Sequence, residues 1–196
     1  SPEPKMLAYQ RSGFLDDFIT GTLSCCEITV DGEEMNHDEY STISSFERGS
    51  VEQTAVELAK DVTQYYVSDT TPGVPARNRE ANRYAAALQR VTDKITDKHS
   101  ILLDGLVRKL NLTDGNVDIV FKAFQTTVDC IFSDGVYSWG RLGTVYAFAG
   151  VLVRHCFRSG LVVEDELDAL AVRIGTHIGR KMGTWIRANG GWVRRA

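Results

Sequence analysis

The chain has 196 residues, 43% of them hydrophobic, enough for one sizeable core and too few for two. Its net charge of −4 divides unevenly: residues 1–49 hold three basic against ten acidic residues, a net of −7, and the remainder is mildly basic. Neither part carries the concentrated positive field of a nucleic-acid binder, so no nucleic-acid partner is expected.

Taken in chain order, residues 1–49 mix acids, Ser, Thr and Gly with short apolar clumps such as Phe14, Leu15, Phe18 and Ile19. They predict an irregular acidic leader with at most a short helix near 14–20. From Ser50, a candidate N-cap, helical periodicity takes over: Val51, Ala55, Leu58, Ala59, Val62, Tyr65 and Tyr66 fall on one face. Pro72, Gly73 and Pro75 then break the pattern. A second helix resumes near Asn82 with Tyr84, Leu88, Val91 and Ile95 on its apolar edge, and residues 100–110 predict a shorter third. Thr113 and Asp114 read as the opening of a fourth, striped by Val117, Val120, Phe121, Phe124, Val128, Ile131 and Phe132.

Residues 142–153 differ in kind, being uncharged and apolar around the whole circumference between Arg141 and Arg154. Such a run is too short to cross about 30 Å of hydrocarbon and reads as a buried central helix. A sixth helix follows with Glu164, Asp165 and Glu166 at its start, where the dipole favours them, and with Gly175, Gly179 and Gly183 every four residues. Residues 184–196 predict two short helical pieces jointed at Gly190 and Gly191. No strand signal competes, so the expected fold class is all-α, with 50–196 as one helical bundle. Ser1 in place of Met, and a helical pattern running to Ala196, read as trimmed ends.

Chemistry-bearing constellations are missing from the pattern. Cys25, Cys26, Cys130 and Cys156 include no Cys-x-x-Cys pair and meet no histidines at ligand spacing, which argues against a zinc site and for reduced, intracellular thiols. His37, His99, His155 and His177 are scattered, and nothing pairs a nucleophile with a base or cradles a phosphate. The expectation is a binding protein, not an enzyme, with no cofactor and no metal. Arg77, Arg79, Arg194 and Arg195 are too few and too dispersed for a DNA-recognition face.

Three segments carry more. "DGVYSWGRLGTVYAFAG" resembles the first homology motif of the Bcl-2 family of apoptosis regulators, and "TWIRANGGW" resembles its second. "LQRVTDKITDKH" resembles the third through Leu88, Val91, Thr92, Asp93 and Ile95. They stand in the family's order over about 50–196, and "DKHSILLDGLVRKLNL" and "FSDGVYSWGR" are similar to the myeloid-leukaemia survival branch. The fourth motif, expected on the first helix, matches only as an amphipathic pattern. Two departures stand out: Thr92 where the family usually has Gly or Ala, and Ser138 where Asn is commoner before Trp139.

The resemblance implies a helical bundle on a hydrophobic central helix, and a groove that receives an amphipathic helix, the known recognition mode of this family. It implies that Arg141 meets the incoming aspartate, that Gly140 leaves room for the incoming backbone, and that Asp134 and Ser138 flank them. Ile95, His99, Leu103, Leu106, Leu110, Val128, Ile131, Thr144, Val145 and Phe148 would be the walls, although core packing accounts for the apolar members equally well. Bulk at Thr92 disfavours donation of this chain's own third motif. The role so implied is a pro-survival regulator that sequesters the third-motif helices of pro-apoptotic family members; a pore-forming executioner of the same fold is the alternative. The implied location is cytoplasmic and at the outer mitochondrial or endoplasmic-reticulum membrane, through a C-terminal anchor that this chain does not include.

Overall fold

The computed structural model describes residues 50–69, 83–113 and 115–192. The acidic leader, the Pro72–Pro75 break and the last four residues lie outside them. Among the described residues there are five helices and no strand: α1 (Val51–Ser68), α2 (Arg83–Lys109), α3 (Val117–Ile131), α4 (Trp139–Arg158) and α5 (Glu164–Ala188). None of them is long and apolar enough to cross a membrane.

The bundle is organised by α4. Every residue from Trp139 to Val153 is buried, as an apolar circumference requires. Its first turn is capped by Ser138, whose hydroxyl accepts from Arg141 N–H at 3.2 Å. α1 and α2 lie against it, and α1 also packs along α5 at close range. Gly175 permits that approach: a Cβ there would overlap the backbone of Val56 and sit 2.9 Å from Ala55 O. Tyr146, wholly buried on α4, donates its hydroxyl to Ala55 O at 3.0 Å, tying α1 to the central helix.

Local starts and stops follow side-chain chemistry. Ser50 caps α1 as expected, accepting from Gln53 N–H at 3.0 Å. The second and third helices of the sequence reading are one continuous α2, kinked where His99 adopts φ −123° and ψ 23°. α3 begins three residues later than expected, because Asn116 supplies the cap, its Oδ1 accepting from Asp118 N–H at 2.8 Å. At the start of α5, Glu166 reaches back to Val163 N–H at 3.0 Å.

The first of the two terminal pieces is corrected as well, whereas 193–196 of the second lie outside the described residues. Thr184 to Ala188 complete α5, and the chain then turns through Gly190 and Gly191 at φ 84° and 72°, a left-handed conformation that glycine adopts without a Cβ penalty. The turn returns Trp192 to α1, where its Nε1–H donates to Val51 O at 3.1 Å. One further expectation fails: Cys130 is disulfide-bonded rather than reduced. Cys156 is a free thiol, which burial pushes up to about 12.

Candidate functional site

The turn between α3 and α4 is built from short polar residues. Gly135 takes φ 70°, and Asp134 Oδ1 accepts from Val136 N–H at 3.0 Å, so the carboxylate is fixed by its own loop. Arg141, in the first turn of α4, stands at the positive end of the helix dipole. Its side chain is nonetheless only 5% exposed.

Internal partners account for this. Nη1 donates to Asp134 Oδ1 at 2.5 Å, to Val136 O at 2.7 Å and to Ile131 O at 3.2 Å, and Nη2 donates to Asp134 Oδ2 at 2.7 Å. The sequence reading looked to an external carboxylate as the reason for an arginine here; the fold supplies one of its own. Because ionised Asp134 accepts these Arg141 hydrogen bonds, with a further one from Val136 N–H, its carboxyl is held at about 2.

Behind Arg141 runs an apolar seam. Ile95, His99, Leu103 and Leu106 of α2, Leu110 just past its end, Val128 and Ile131 of α3, and Val145 and Phe148 of α4 are all buried. Apart from His99 they belong to one continuous hydrophobic cluster. Gly140 and Thr144 are buried too, with Thr144 Oγ1 donating to Gly140 O at 3.0 Å. Gly143 seats α2 closely, since a Cβ there would meet Val91 and Ile95 at 3.0 and 3.1 Å. On the other flank Phe124 stacks on Phe148, with centroids 6.1 Å apart and planes within 8°.

Among the residues the sequence singled out here, Asp134 alone is exposed, with half its side chain open to solvent. The expected wall residues are thus buried within the hydrophobic cluster of the bundle, and the seam they would line is closed. α2 and α3 both pack on α4. Thr92 is fully buried and donates to Gln89 O at 3.0 Å, so it faces the core instead of a partner.

The sequence reading missed two neighbours of the site. Val136, 47% exposed, contributes a carbonyl to Arg141, and an apolar residue inside a charged turn was the available signal. Trp139 meets Trp185 at 5.0 Å and Trp192 at 6.2 Å, forming an aromatic strut under the first turn of α4. Residues so far apart in the chain gave no local sign of it. No group of three or more His, Cys, Asp or Glu able to hold a metal occurs among the described residues.

Comparison with known proteins gives a consistent picture. The family model described as "Apoptosis regulator proteins, Bcl-2 family" matches residues 88–192. The chain is 26% identical over 138 residues to Bcl-2-related protein A1 of Bos taurus, covering 69% of this chain and 74% of that protein. It is 25% identical over 164 residues to the Bcl-2-related ovarian killer protein of Homo sapiens, covering 77% and 74%. In fold it is similar to the zebra-fish pro-survival protein NRZ solved in complex with a Bad BH3 segment. That match has a TM-score of 0.61 and 22% identity, and covers 72% of this chain and 89% of that one.

Proposed function

Because this chain belongs to the Bcl-2 family of apoptosis regulators, we propose that it is a pro-survival member that sequesters the third-motif helices of pro-apoptotic relatives. The observation carrying this reading is the buried Arg141 at the head of the apolar seam, gripped by a single half-exposed carboxylate. A carboxylate arriving on a partner's helix meets a planar donor fork already withdrawn from water, and it can share or replace Asp134. Apolar residues spaced i, i+3 or i+4 and i+7 on the same helix would follow it along the seam. The zebra-fish protein of similar fold, pro-survival and solved with a Bad BH3 segment, supports this reading.

Entry requires the seam to part. Leu103, Leu106 and Ile131 are among the side chains that would lose cover, each with about 1.5–3 kcal/mol of burial at stake, and the incoming apolar residues restore it. Measured affinity is then the intrinsic affinity multiplied by the fraction of molecules with the seam open. Donation of this chain's own third motif is disfavoured by the same reasoning. Leu88, Val91, Thr92 and Ile95 are all buried in the bundle and would have to be withdrawn from it.

A second reading, a pore-forming executioner, draws on the similarity to the ovarian killer proteins. Liposome dye release separates the two. A sequestering protein leaves vesicles intact when a third-motif peptide is added, and blocks release by an added effector; release by the protein itself would favour the executioner. The proposed sites of action are the cytoplasm and the outer mitochondrial or endoplasmic-reticulum membrane, to be tested by fractionation of cells expressing the natural protein.

A further inference from the structure

α5 presents Leu170, Ile174, Ile178 and Met182 to the hydrophobic cluster. Both its flanks are also taken. Gly175 and Gly179 lie against Val56 and Glu52 of α1, and Arg173 and Lys181 pair with Asp118 and Asp129 of α3 at 2.6 and 2.8 Å. Thr176 stands two residues, about 200° around the helix, from both Ile174 and Ile178, on the side opposite the core. A residue so placed should be open to water. Thr176 is only 5% exposed, and its Oγ1 is buried with no hydrogen-bond partner among the described residues. A buried hydroxyl left unpaired is costly, so this face calls for a covering segment with polar backbone to offer.

We propose that the cover is this chain's own residues 25–49, laid over the outer face of α5 and clasped there by a disulfide from Cys130 to Cys25 or Cys26. Cys130 is disulfide-bonded and Cys156 is a free thiol, which leaves Cys25 and Cys26 as the cysteines able to pair with it within the chain. Cys130 follows directly on Asp129, the residue that pairs with Lys181 of α5, so the clasp borders the same face. The other end of the segment joins Ser50, the cap of α1. Two residues on, Glu52 packs against Gly179 and pairs with Arg187 of α5. Between these two anchors an extended chain reaches about 80 Å, against about 37 Å for the whole of α5, so the span is readily closed.

Charge points the same way. Residues 25–49 hold seven acidic residues and one basic. Beneath them α5 offers Arg173, Lys181 and, one turn beyond Thr176, the exposed Arg180. Single surface ion pairs contribute little, but a segment held at both ends meets its partners at high effective concentration.

None of these residues belongs to the seam, so the test is independent of the pro-survival reading. The full chain, purified without reductant, is digested and mapped by mass spectrometry, and a peptide joining Cys130 to Cys25 or Cys26 is expected. Carbodiimide cross-linking of the intact protein then reads the docking, since it joins a lysine amine to a carboxylate in contact with it. Lys181 should be captured by acids of 27–39. The yield should fall about fivefold or more in Thr176→Glu, which sets a like charge beneath the segment, and in Cys130→Ser, which removes the clasp. Dithiothreitol should act as Cys130→Ser does: its two thiols supply two electrons and two protons, the S–S bond opens to two thiols, and the reagent closes into its own ring disulfide. Circular dichroism checks folding, and where Thr176→Glu fails to fold, Cys130→Ser decides. Cys130 joined to a second copy of the chain, Cys130 joined to neither leader cysteine, or a Lys181 yield unchanged in either folded variant would overturn the proposal.

Discussion

Arg141 and Asp134 form a two-pronged pair across the turn between α3 and α4, at 2.5 and 2.7 Å, with the guanidinium buried and the carboxylate half exposed. The pair resolves the placement of a cation at the unfavourable end of a helix dipole. It also keeps a charge that the bundle would otherwise exclude in reach of solvent on one side only.

The pair makes stability depend on acid in a defined window. Asp134 has its carboxyl lowered from 3.8 to about 2, so its contribution is fully present above about 3.8 and is lost as the pH falls through about 2. Asp134→Asn should be less stable than the parent at pH 7, and urea midpoints of the two proteins should converge between pH 4 and pH 2. A constant gap across that range would mean that the ion pair contributes nothing.

Two glycines should respond oppositely to alanine. At Gly175 the new methyl overlaps the backbone of Val56, and α1 must move off α5, so Gly175→Ala should destabilise by about 1–3 kcal/mol despite better helix propensity. At Gly105, within α2, a Cβ meets nothing within 4 Å, and Gly105→Ala should stabilise by about 0.5–1 kcal/mol. Thermal and urea unfolding of the two variants check the contrast.

Hydrogen exchange should rank the helices by their place in the bundle. Amides from Val145 to Val153 are buried in the central helix and should be the slowest to exchange. Those beyond the His99 kink in α2 should exchange faster, since that half carries exposed residues such as Ile101, 81% open to solvent. Rapid exchange within 145–153 would contradict the fold.

Much of this architecture was legible in the sequence because α4 is apolar on every face, and only a surrounded helix can satisfy that pattern. The three-four stripes of Ala55 to Val62 and of Val120 to Val128 likewise announce helices with one buried side. What stayed hidden depends on residues distant in the chain. Periodicity cannot distinguish a groove wall from a core residue, since Leu103 or Val128 would repeat in the same way in either role. The continuity of α2 stayed hidden as well, since the pattern divides into a helix from near Asn82 and a shorter one over 100–110 where the chain only kinks at His99. Asp134 as the counter-ion of Arg141 depends on a turn whose geometry is set by Gly135.

A third-motif peptide is expected to bind poorly when it comes from this chain. Residues 82–100 carry Thr92 where close seating favours a small residue, and bulk at a packed contact costs about 1–3 kcal/mol. Thr92→Gly in the peptide should strengthen its binding to a survival-type groove, measured by fluorescence anisotropy. Equal affinities would remove this reason for preferring the receptor role.

The most direct measurement of the central claim is a double-mutant cycle by calorimetry, combining Arg141→Ala with replacement of the aspartate in a pro-apoptotic third-motif peptide by alanine. Arg141→Ala will also weaken the fold, because Ile131 O, Val136 O and Asp134 lose their donor, so the cycle is run where circular dichroism shows both proteins folded. The cycle isolates the pairwise part of the binding loss. A coupling of about 1.5–3 kcal/mol is predicted, the worth of a partly desolvated charge pair in which Asp134 competes for the same fork. Losses that add, with no coupling, would contradict Arg141 as the group that receives the partner's carboxylate.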